Sequence, residues 1–421
     1  MKARQRLGLC VAICALIAMA SAAMAADWAQ WRGPRRDGIS HETGWQARWP
    51  EGGPKRLWRS QVGRGLAAVA IVNGRLYTLG HQQGNDIVWC LDAETGEVAW
   101  KHAYPCKLRF QYPGPVATPT VDGDRVYTHS REGDLLCLGA RSGEVIWSKN
   151  VRQEFKVPPQ RPDYGNACSP LVLGRLLIVE VGAPDGLLVA FDKQSGNVVW
   201  RGSQGGQLSY SSPVAFELGG KQHVAAFHSF GLGVFDAASG KELWRYPWRT
   251  HDRCSVATPV VSGDRIFISA SYGKGGALLK FRQAKPLWQT REIMSHHATC
   301  VLWKGFLYGF HYDRKKAATL RCLDFETGEV KWTKGGMGNG TALLADGKLI
   351  VLGQRGDLAV ARASPSGFEP ISTTKVLGGL CWTAPVLCDG LLYCRNHPGD
   401  LVCLDLRGKQ QVGRADLHAE R

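Results

Sequence analysis

A segment that ends in tryptophan recurs along this chain and limits the folds that the chain can adopt. Its first copy, Asp92 to Trp100, reads Asp-Ala-Glu-Thr-Gly-Glu-Val-Ala-Trp. Asp-x-x-Ser/Thr-Gly is turn chemistry, because the Asp side chain bonds its own backbone and Gly supplies a positive φ. The flanking residues are alternating or β-branched, which predicts two short strands joined by the turn. The copies end at Trp100, Trp147, Trp200, Trp244, Trp288, Trp332 and, in a degenerate form, Ile371.

A second marker precedes each of these hairpins, namely a small residue followed by Pro or a short apolar residue. We find it at Ala68-Val69, Thr118-Pro119, Ser169-Pro170, Ser212-Pro213, Thr258-Pro259, Thr299-Cys300, Thr341-Ala342 and Ala384-Pro385. Short hairpins such as Val121 to Tyr127 lie between the two markers. Each unit is therefore predicted to be a four-stranded meander of roughly 40–50 residues, which is the size of a propeller blade.

The last unit lacks its final strand, and a matching strand lies at the other end of the chain. The unit stops after Leu401 to Leu406, whereas Lys55 to Trp58 resembles Lys241 to Trp244. We therefore expect an all-β, eight-bladed propeller of four-stranded antiparallel blades, closed by an N-terminal strand in the last blade. A linear β-solenoid is the alternative, and the split unit argues against it. The indoles, including Trp58, are expected to pack between neighbouring sheets with their N–H groups bonded.

The repeat and its tryptophan resemble the pyrroloquinoline-quinone (PQQ) repeat with its tryptophan-docking motif. Two families share that repeat, the quinoprotein alcohol dehydrogenases and the non-catalytic propeller of the outer-membrane protein assembly machinery. The resemblance covers residues 55 to about 408. It implies the fold, but it leaves the activity open because the repeat is a packing motif.

Residues 1–26 have the form of a secretory signal. A basic start precedes the apolar stretch 7–20, and Ala23 to Ala25 supplies small residues at the cleavage positions. A retained anchor is the alternative. Cys10 and Cys14 each follow a large aliphatic residue, whereas a lipobox needs a small one, so no lipidation is expected. These features predict a periplasmic or secreted protein.

The remaining terminal segments are an aromatic and basic arm, 27–54, and a short tail, 409–421. The arm follows the predicted cleavage site and precedes the closing strand. Two roles are open for it. Trp28 and Trp31 plug a groove of the ring, or the arm docks to an acidic partner.

The chain is basic, with 52 Lys and Arg against 36 Asp and Glu. Such a charge favours anionic partners. We expect a protein or an acidic envelope component, no nucleic acid because of export, membrane association only through a partner, and a monomer. Cysteines recur at one repeat position, where they serve as small apolar residues: Cys90, Cys137, Cys322 and Cys403. Metal ligation by cysteine is not expected, since CxxC pairs are missing from the sequence.

One face of such a ring should gather the loops that enter each inner strand and those between the second and third strands. Most histidines fall in these loops, and loops on a rigid ring commonly bind ligands. The candidate rim residues are Tyr164, Asn166, Tyr210, His251, Asp252, Arg253, His296, His297, Asn339 and Trp382. Four interpretations compete: a hydrated polar rim, a surface for a peptide, glycan or protein loop, a metal site at His296-His297, and a quinone site.

A quinoprotein needs a calcium ion held by oxygen ligands, a carboxylate base and flat walls around the ring. In that case Asp252 and Arg253 would be the catalytic candidates, Asn166 and Asn339 the amide ligands, and Trp382 a wall. The adjacent cysteine pair of many such enzymes is missing from the sequence, and the blades lack long inserts. GxSxG, HExxH and GxxxxGK[ST] motifs are also missing.

The sequence therefore favours a non-catalytic binding or scaffolding propeller without a cofactor. The alternatives are a PQQ-dependent dehydrogenase that oxidises alcohols or sugars with PQQ and calcium, and an exported structural or glycan-binding protein. Titration with quinone and calcium distinguishes the dehydrogenase from the other two.

Overall fold

The structure, a computed structural model, describes residues 27–107, 112–159, 164–202 and 207–408. The predicted signal segment and the C-terminal tail lie outside these ranges. None of the helices within the described ranges has the length and apolar character needed to cross a membrane.

Eight antiparallel meanders, which we call blades 1 to 8 in chain order, form a propeller, as the sequence predicts. The strands of the first four blades are β3 (Ala70–Val72), β4 (Arg75–Gln82), β5 (Asn85–Asp92) and β6 (Val98–Pro105); β7 (Thr120–Asp122), β8 (Arg125–His129), β9 (Asp134–Gly139) and β10 (Val145–Asn150); β11 (Leu171–Leu173), β12 (Leu176–Ala183), β13 (Gly186–Asp192) and β14 (Val198–Gly202); β15 (Val214–Leu218), β16 (Lys221–His228), β17 (Gly231–Asp236) and β18 (Glu242–Pro247).

The strands of the other blades are β19 (Val260–Ser262), β20 (Arg265–Ala270), β21 (Gly275–Lys280) and β22 (Trp288–Thr290); β23 (Val301–Trp303), β24 (Phe306–His311), β25 (Thr319–Asp324) and β26 (Val330–Lys334); β27 (Thr341–Ala345), β28 (Lys348–Leu352), β29 (Asp357–Arg362) and β30 (Pro370–Lys375); β31 (Val386–Cys388), β32 (Leu391–Arg395) and β33 (Asp400–Asp405). One helical turn, α1 (Val151–Glu154), follows blade 2, and a 3₁₀ turn (His251–Arg253) follows blade 4.

The ring is closed by the two ends of the chain. Strand β2 (Lys55–Gln61) pairs antiparallel with β33, with Lys55 opposite Asp405 and Gln61 opposite Asp400. This pairing makes β2 the outer strand of blade 8 and confirms the closure expected from the sequence. A closed ring leaves no terminal blade with an open face.

Each repeat tryptophan lies across the turn of the following blade. Trp200 donates from Nε1 to the carbonyl of Ala237 at 3.1 Å, and a Cβ on Gly240 would lie 2.4 Å from its ring. Glycine is thus required for its φ of +70° and for the indole above it. The same tryptophan–glycine pairs are Trp58–Gly96, Trp100–Gly143, Trp147–Gly196 and Trp288–Gly328. In the two degenerate turns the indole instead contacts a phenylalanine of the following blade: Trp244 packs on Phe281, and Trp332 on Phe368.

The second sequence marker forms a ring of hydroxyl hydrogen bonds between blades. The backbone N–H of Thr118 donates to Ser169 Oγ at 2.9 Å, and the N–H of Ser169 donates to Ser212 Oγ at 3.0 Å. Thr258 N–H donates in the same way to Thr299 Oγ1, at 2.9 Å. The small residue of the marker is therefore mostly Ser or Thr because its hydroxyl satisfies a buried backbone donor of the preceding blade.

The core lies within and between the blades. The second and third strands are apolar and mostly buried, and all residues of β12 are buried. The cysteines of the repeat position lie in the third strand and are buried, as a small apolar slot requires. Within the described ranges all eleven cysteines are free.

The N-terminal arm is not a free segment, because it runs along the inner strands. Its strand β1 (Ile39–Ser40) pairs in parallel with β27, so blade 7 has a fifth strand where the sequence predicted four. Trp28 exchanges two backbone hydrogen bonds with Ile71 of blade 1, and Val121 of blade 2 donates to the carbonyl of Ala29. Glu42 accepts from the backbone of the β31–β32 turn of blade 8.

Two buried arginines and a tryptophan of the arm reach the remaining blades. Arg36 donates to the carbonyls of Ser169, Pro170 and Pro213, at the entries to blades 3 and 4. Trp31 Nε1 donates to the hydroxyl of Thr258 in blade 5, and Arg32 to the carbonyls of Thr299 and Cys300 in blade 6. The arm therefore contacts all eight blades.

Candidate functional site

The two faces of the ring carry different loops. The upper face, as we call it, holds the connections that enter the inner strands and the loops between second and third strands. The lower face holds the remaining turns, and the arm enters there, since Asp27 accepts from the backbone of Asn73 in the β3–β4 turn. The rim residues predicted from the sequence all lie in loops of the upper face.

Six rings on the upper face form a continuous arc, which we call the aromatic arc: His251, Tyr272, His296, His297, Trp382 and Tyr112. His297 stacks on Trp382 with ring centroids 4.0 Å apart and planes inclined by 21°. Tyr112 meets Trp382 edge-on at 5.1 Å. His296 lies 4.1 Å from His297, and its Nε2 is 3.2 Å from the Tyr272 hydroxyl. Stacked and edge-on contacts of this kind are favourable between aromatic rings, so the six rings hold one another in position.

The arc lies directly over the arm. Trp31 and Arg32 from below and His297 and Trp382 from above line a cavity of about 10 Å³. Such a volume holds a single water molecule at most. The arm and the arc therefore leave almost no space between them at these residues.

A second group of predicted rim residues is buried beside the arc. The side-chain amide of Asn166 donates to His129 Nε2 at 3.0 Å, and His129 Nδ1 donates to the carbonyl of Cys168. Arg131 donates to the carbonyls of Tyr164 and Tyr112. Asn166 and Arg131 thus hold the connections that enter blades 2 and 3 in place.

Asp252 and Arg253 follow His251 on the 3₁₀ turn after blade 4, at the end of the aromatic arc. Both have positive φ, of 50° and 57°, and Asp252 is exposed. The Asp252 carboxylate lies 3.1 Å from His251 Nδ1. Tyr210 packs edge-on against Tyr164 at 5.6 Å, below this turn.

Asn339 lines a cavity of about 430 Å³ between blades 6 and 7. It is 2% exposed, and neither polar atom of its side-chain amide has a hydrogen-bond partner within the described ranges. Lys316, Arg355 and Asp357 also line this cavity. A buried amide with both groups open suits a ligand that offers a donor and an acceptor together, such as a peptide unit.

The histidines of the upper face are mostly buried, which differs from a hydrated rim. Burial lowers the pKa of His129, His228 and His296 to about 4 each, and the pKa of His297 also falls well below its usual range. These rings are therefore neutral at pH 7. The positive charge of the upper face comes from Lys and Arg instead. The pair His296-His297 packs against Tyr312 and Trp382, rather than opening toward a common point.

Glu180 is a buried carboxyl under this face. Its Oε1 accepts from the backbone N–H of Ser209 at 2.7 Å, and burial raises its pKa to about 8. The group is protonated in the folded protein below pH 8 but ionises near pH 4.5 in the unfolded chain. Its contribution to stability is therefore present below about pH 4.5 and is lost as the pH rises to 8.

We expect Glu180→Gln to be increasingly more stable than the parent protein as the pH rises from 5 to 8. The difference in the free energy of unfolding between the variant and the parent should grow by up to about 1.4 kcal/mol per pH unit, because glutamine keeps the hydrogen bond from Ser209 without ionising. Urea unfolding at pH 5, 6.5 and 8 measures it. Exposed Glu217, replaced in the same way, should show no such trend. A pH-independent difference for Glu180→Gln would contradict the assignment.

The predicted rim residues share one face of the ring, but their grouping within that face does not follow from the sequence. Tyr272, which joins His251 to the rest of the arc, lies in a glycine-rich loop that the sequence marks only as a turn. Arg395, the last residue of β32, is buried and donates to Ala67 O, Gly63 O and Thr78 Oγ1. Its role is to join blade 8 to blade 1.

Known proteins resemble this chain along most of its length. The outer membrane protein assembly factor BamB of Yersinia pestis is 23% identical over 360 residues, 83% of this chain and 77% of that protein. Its counterpart from Burkholderia pseudomallei is 25% identical over 264 residues, 57% of this chain and 59% of that protein. The match thus spans about three fifths of the Burkholderia protein's length.

The fold is shared with enzymes as well. A quinohemoprotein alcohol dehydrogenase of Comamonas testosteroni superposes with a TM-score of 0.68, at 15% identity, over 91% of this chain and 81% of that chain. Identity at this level speaks for the fold alone. The family model described as outer membrane protein assembly factor BamB matches residues 110–334, more than half of the chain. The chain therefore belongs to this family of PQQ-repeat β-propellers.

Proposed function

We propose that this chain is a non-catalytic propeller that binds a protein partner during assembly of the bacterial outer membrane. The observation that carries the proposal is the close packing of the arm against the aromatic arc, which leaves a cavity of only about 10 Å³ between them. A binding platform needs a rigid ring with shaped loops, and this packing makes that part of the ring rigid. Relatives in the family are described as outer membrane protein assembly factors.

The residues of the upper face fit a quinone cofactor poorly. Trp382, the candidate wall, already has His297 stacked on it. The Glu180 carboxyl, the buried acid under this face, has a pKa raised to about 8. Calcium requires several oxygen ligands that converge, and carboxylates among them must be ionised. Asp252, the candidate base, lies on an exposed turn. These contacts support function without a quinone.

The cavity at Asn339 is the place we propose for the partner. Its amide can pair with a backbone peptide group, while Lys316 and Arg355, which outnumber the single acid Asp357, suit an acidic side chain. An extended, acidic protein segment matches both features. The basic charge of the whole chain favours the same partner.

The test is depletion of the chain in its own bacterium, followed by quantitative mass spectrometry of outer-membrane proteins. We expect their level to fall and to be restored by the parent gene. A variant with Asn339→Leu and Lys316→Glu should restore it poorly, whereas Lys315→Glu, on the same loop but outside the cavity, should restore it fully. Unchanged outer-membrane protein levels after depletion would overturn the proposal.

A cofactor titration tests the alternative separately. Purified protein mixed with PQQ and calcium should show no saturable quenching of tryptophan fluorescence and no alcohol or sugar oxidation with a dye acceptor. Saturable quenching with turnover would establish the dehydrogenase instead. The variant Trp382→Phe gives the control, because quenching at the arc would change with it.

A further inference from the structure

A buried cluster of three different metal-ligating side chains lies in blade 1, away from the aromatic arc. His81 lies near the end of β4, Asp86 near the start of β5, and Cys106 directly after β6. His81 pairs with Asp86 across one strand pair, and Asp86 with Tyr104 across the next. The hairpin therefore brings these residues together at the upper end of the blade.

The donor atoms of the cluster are close enough to share one ion. One atom each from His81, Asp86 and Cys106 lies within 4.8 Å of the others. Around zinc, with Zn–S near 2.3 Å and Zn–N near 2.0 Å, neighbouring ligands of a tetrahedral site are about 3–4 Å apart. Small side-chain rotations would bring the three donors to that spacing.

The cluster holds more polar atoms than it can satisfy internally. His81 Nδ1 lies 2.8 Å from Asp86 Oδ1, and these side chains are 3% and 1% exposed. His81 Nε2, Asp86 Oδ2 and the Tyr104 hydroxyl are buried without a hydrogen-bond partner in the described part of the chain. Buried polar atoms without partners are rare, and several in one place call for a ligand that satisfies them.

We propose that His81, Asp86 and Cys106 bind one zinc ion. The set combines nitrogen, oxygen and sulfur donors, which zinc accepts together in structural and catalytic sites. A neutral imidazole, a carboxylate and a thiolate carry two negative charges, which balance the charge of Zn²⁺. The Tyr104 hydroxyl or a water molecule completes a tetrahedral site.

Zinc binding would require Asp86 and Cys106 to lose their protons. Burial raises the pKa of Asp86 and of Cys106 above their ordinary values. A divalent cation stabilises the ionised forms of both groups, so that binding releases protons and strengthens as the pH rises.

The ion would fix a connection that matters for the upper face. Cys106 begins the connection between blades 1 and 2. The same connection carries Tyr112 of the aromatic arc and Pro115, whose carbonyl accepts from the backbone N–H of Leu66. Tethering Cys106 to the β4–β5 hairpin anchors this segment at its start. The site is therefore structural and independent of the partner proposed above.

The experiment uses the exported chain, purified without a histidine tag, stripped with a chelator and dialysed. We expect isothermal titration with Zn²⁺ to give one ion per chain and the melting temperature to rise. Replacing Zn²⁺ by Co²⁺ should give a thiolate-to-cobalt charge-transfer band in the near ultraviolet. Cys106→Ser should abolish that band and weaken Zn²⁺ binding by tenfold or more, and Asp86→Asn should weaken binding similarly.

Cys322→Ser is the matched control, because Cys322 is also buried and free but lies in blade 6. It should keep the cobalt band and the affinity of the parent. Near-ultraviolet circular dichroism checks that each variant is folded. No zinc binding by the parent protein, or a cobalt band that survives in Cys106→Ser, would overturn the proposal and leave a hydrogen-bonded His81–Asp86 pair.

Discussion

Replacing Arg36 by alanine should lower the free energy of unfolding by about 4 kcal/mol or more. The guanidinium is buried, and it donates to three backbone carbonyls at the entries to two blades. Burial lowers its pKa to about 10, so the group still carries its charge at neutral pH. Alanine would remove a donor from each of these carbonyls, although Pro170 would keep the bond from the Thr120 hydroxyl, and it would open a void between the arm and the ring.

Urea unfolding followed by tryptophan fluorescence measures the effect. Arg35→Ala is the matched control, since Arg35 is the neighbouring residue, is exposed and contacts only His41 among the hydrogen bonds identified for its side chain in the described ranges. It should change stability by less than about 0.5 kcal/mol. Equal losses for the two variants would contradict a structural role for the arm.

The repeat explains why so much of the fold was accessible from the sequence. The residue types of a turn such as Asp192 to Gly196 predict its backbone conformation. The tryptophan after the turn predicts a packing contact with the next blade. Because the same unit recurs along the chain, a prediction for one blade extends to the whole ring. The missing outer strand of blade 8 and the surplus strand at Lys55 followed from counting units.

The arm was less predictable because it does not repeat. Its tryptophans indicated burial, but its arginines suggested a docking surface. Arg32 and Arg36 are buried because each finds backbone carbonyls at the inner end of the blades. A sequence does not record carbonyl groups that converge from different blades, so this pattern could not be read in advance.

In the candidate site, too, the positions of residues could be predicted from the sequence, whereas their contacts could not. Topology placed Asn166, His297, Asn339 and Trp382 on one face, because the ends of strands follow from the order of the strands. Contacts within that face depend on loop conformation. The sequence does not single out the three residues that we propose as zinc ligands, since His81, Asp86 and Cys106 have no motif spacing and meet only through the register of the β4–β5 and β5–β6 pairs.

Replacing Trp58 by alanine should reduce the free energy of unfolding by about 3–5 kcal/mol and loosen the ring at its joint. Trp58 packs on Gly96 and donates from Nε1 to the carbonyl of Ala93 at 3.0 Å. It lies on β2, which is held in blade 8 by pairing with β33 and not by a direct chain connection within the blade. Loss of the indole therefore weakens the contact between blade 8 and blade 1 where the two chain ends meet.

Trp200→Ala is the control that distinguishes loss of ring closure from loss of packing between two blades. Trp200 makes the equivalent contacts with Gly240 and Ala237, but its strand follows β13 through a short turn of the same blade. Both variants should lose similar stability, whereas hydrogen exchange should show β2 amides losing protection only in Trp58→Ala, because opening a noncovalent joint needs no global unfolding. Trp58→Phe should keep most of that protection and cost about 1 kcal/mol for the lost hydrogen bond. If β2 amides exchange alike in Trp58→Ala and Trp200→Ala, the ring is not held at its joint by this indole.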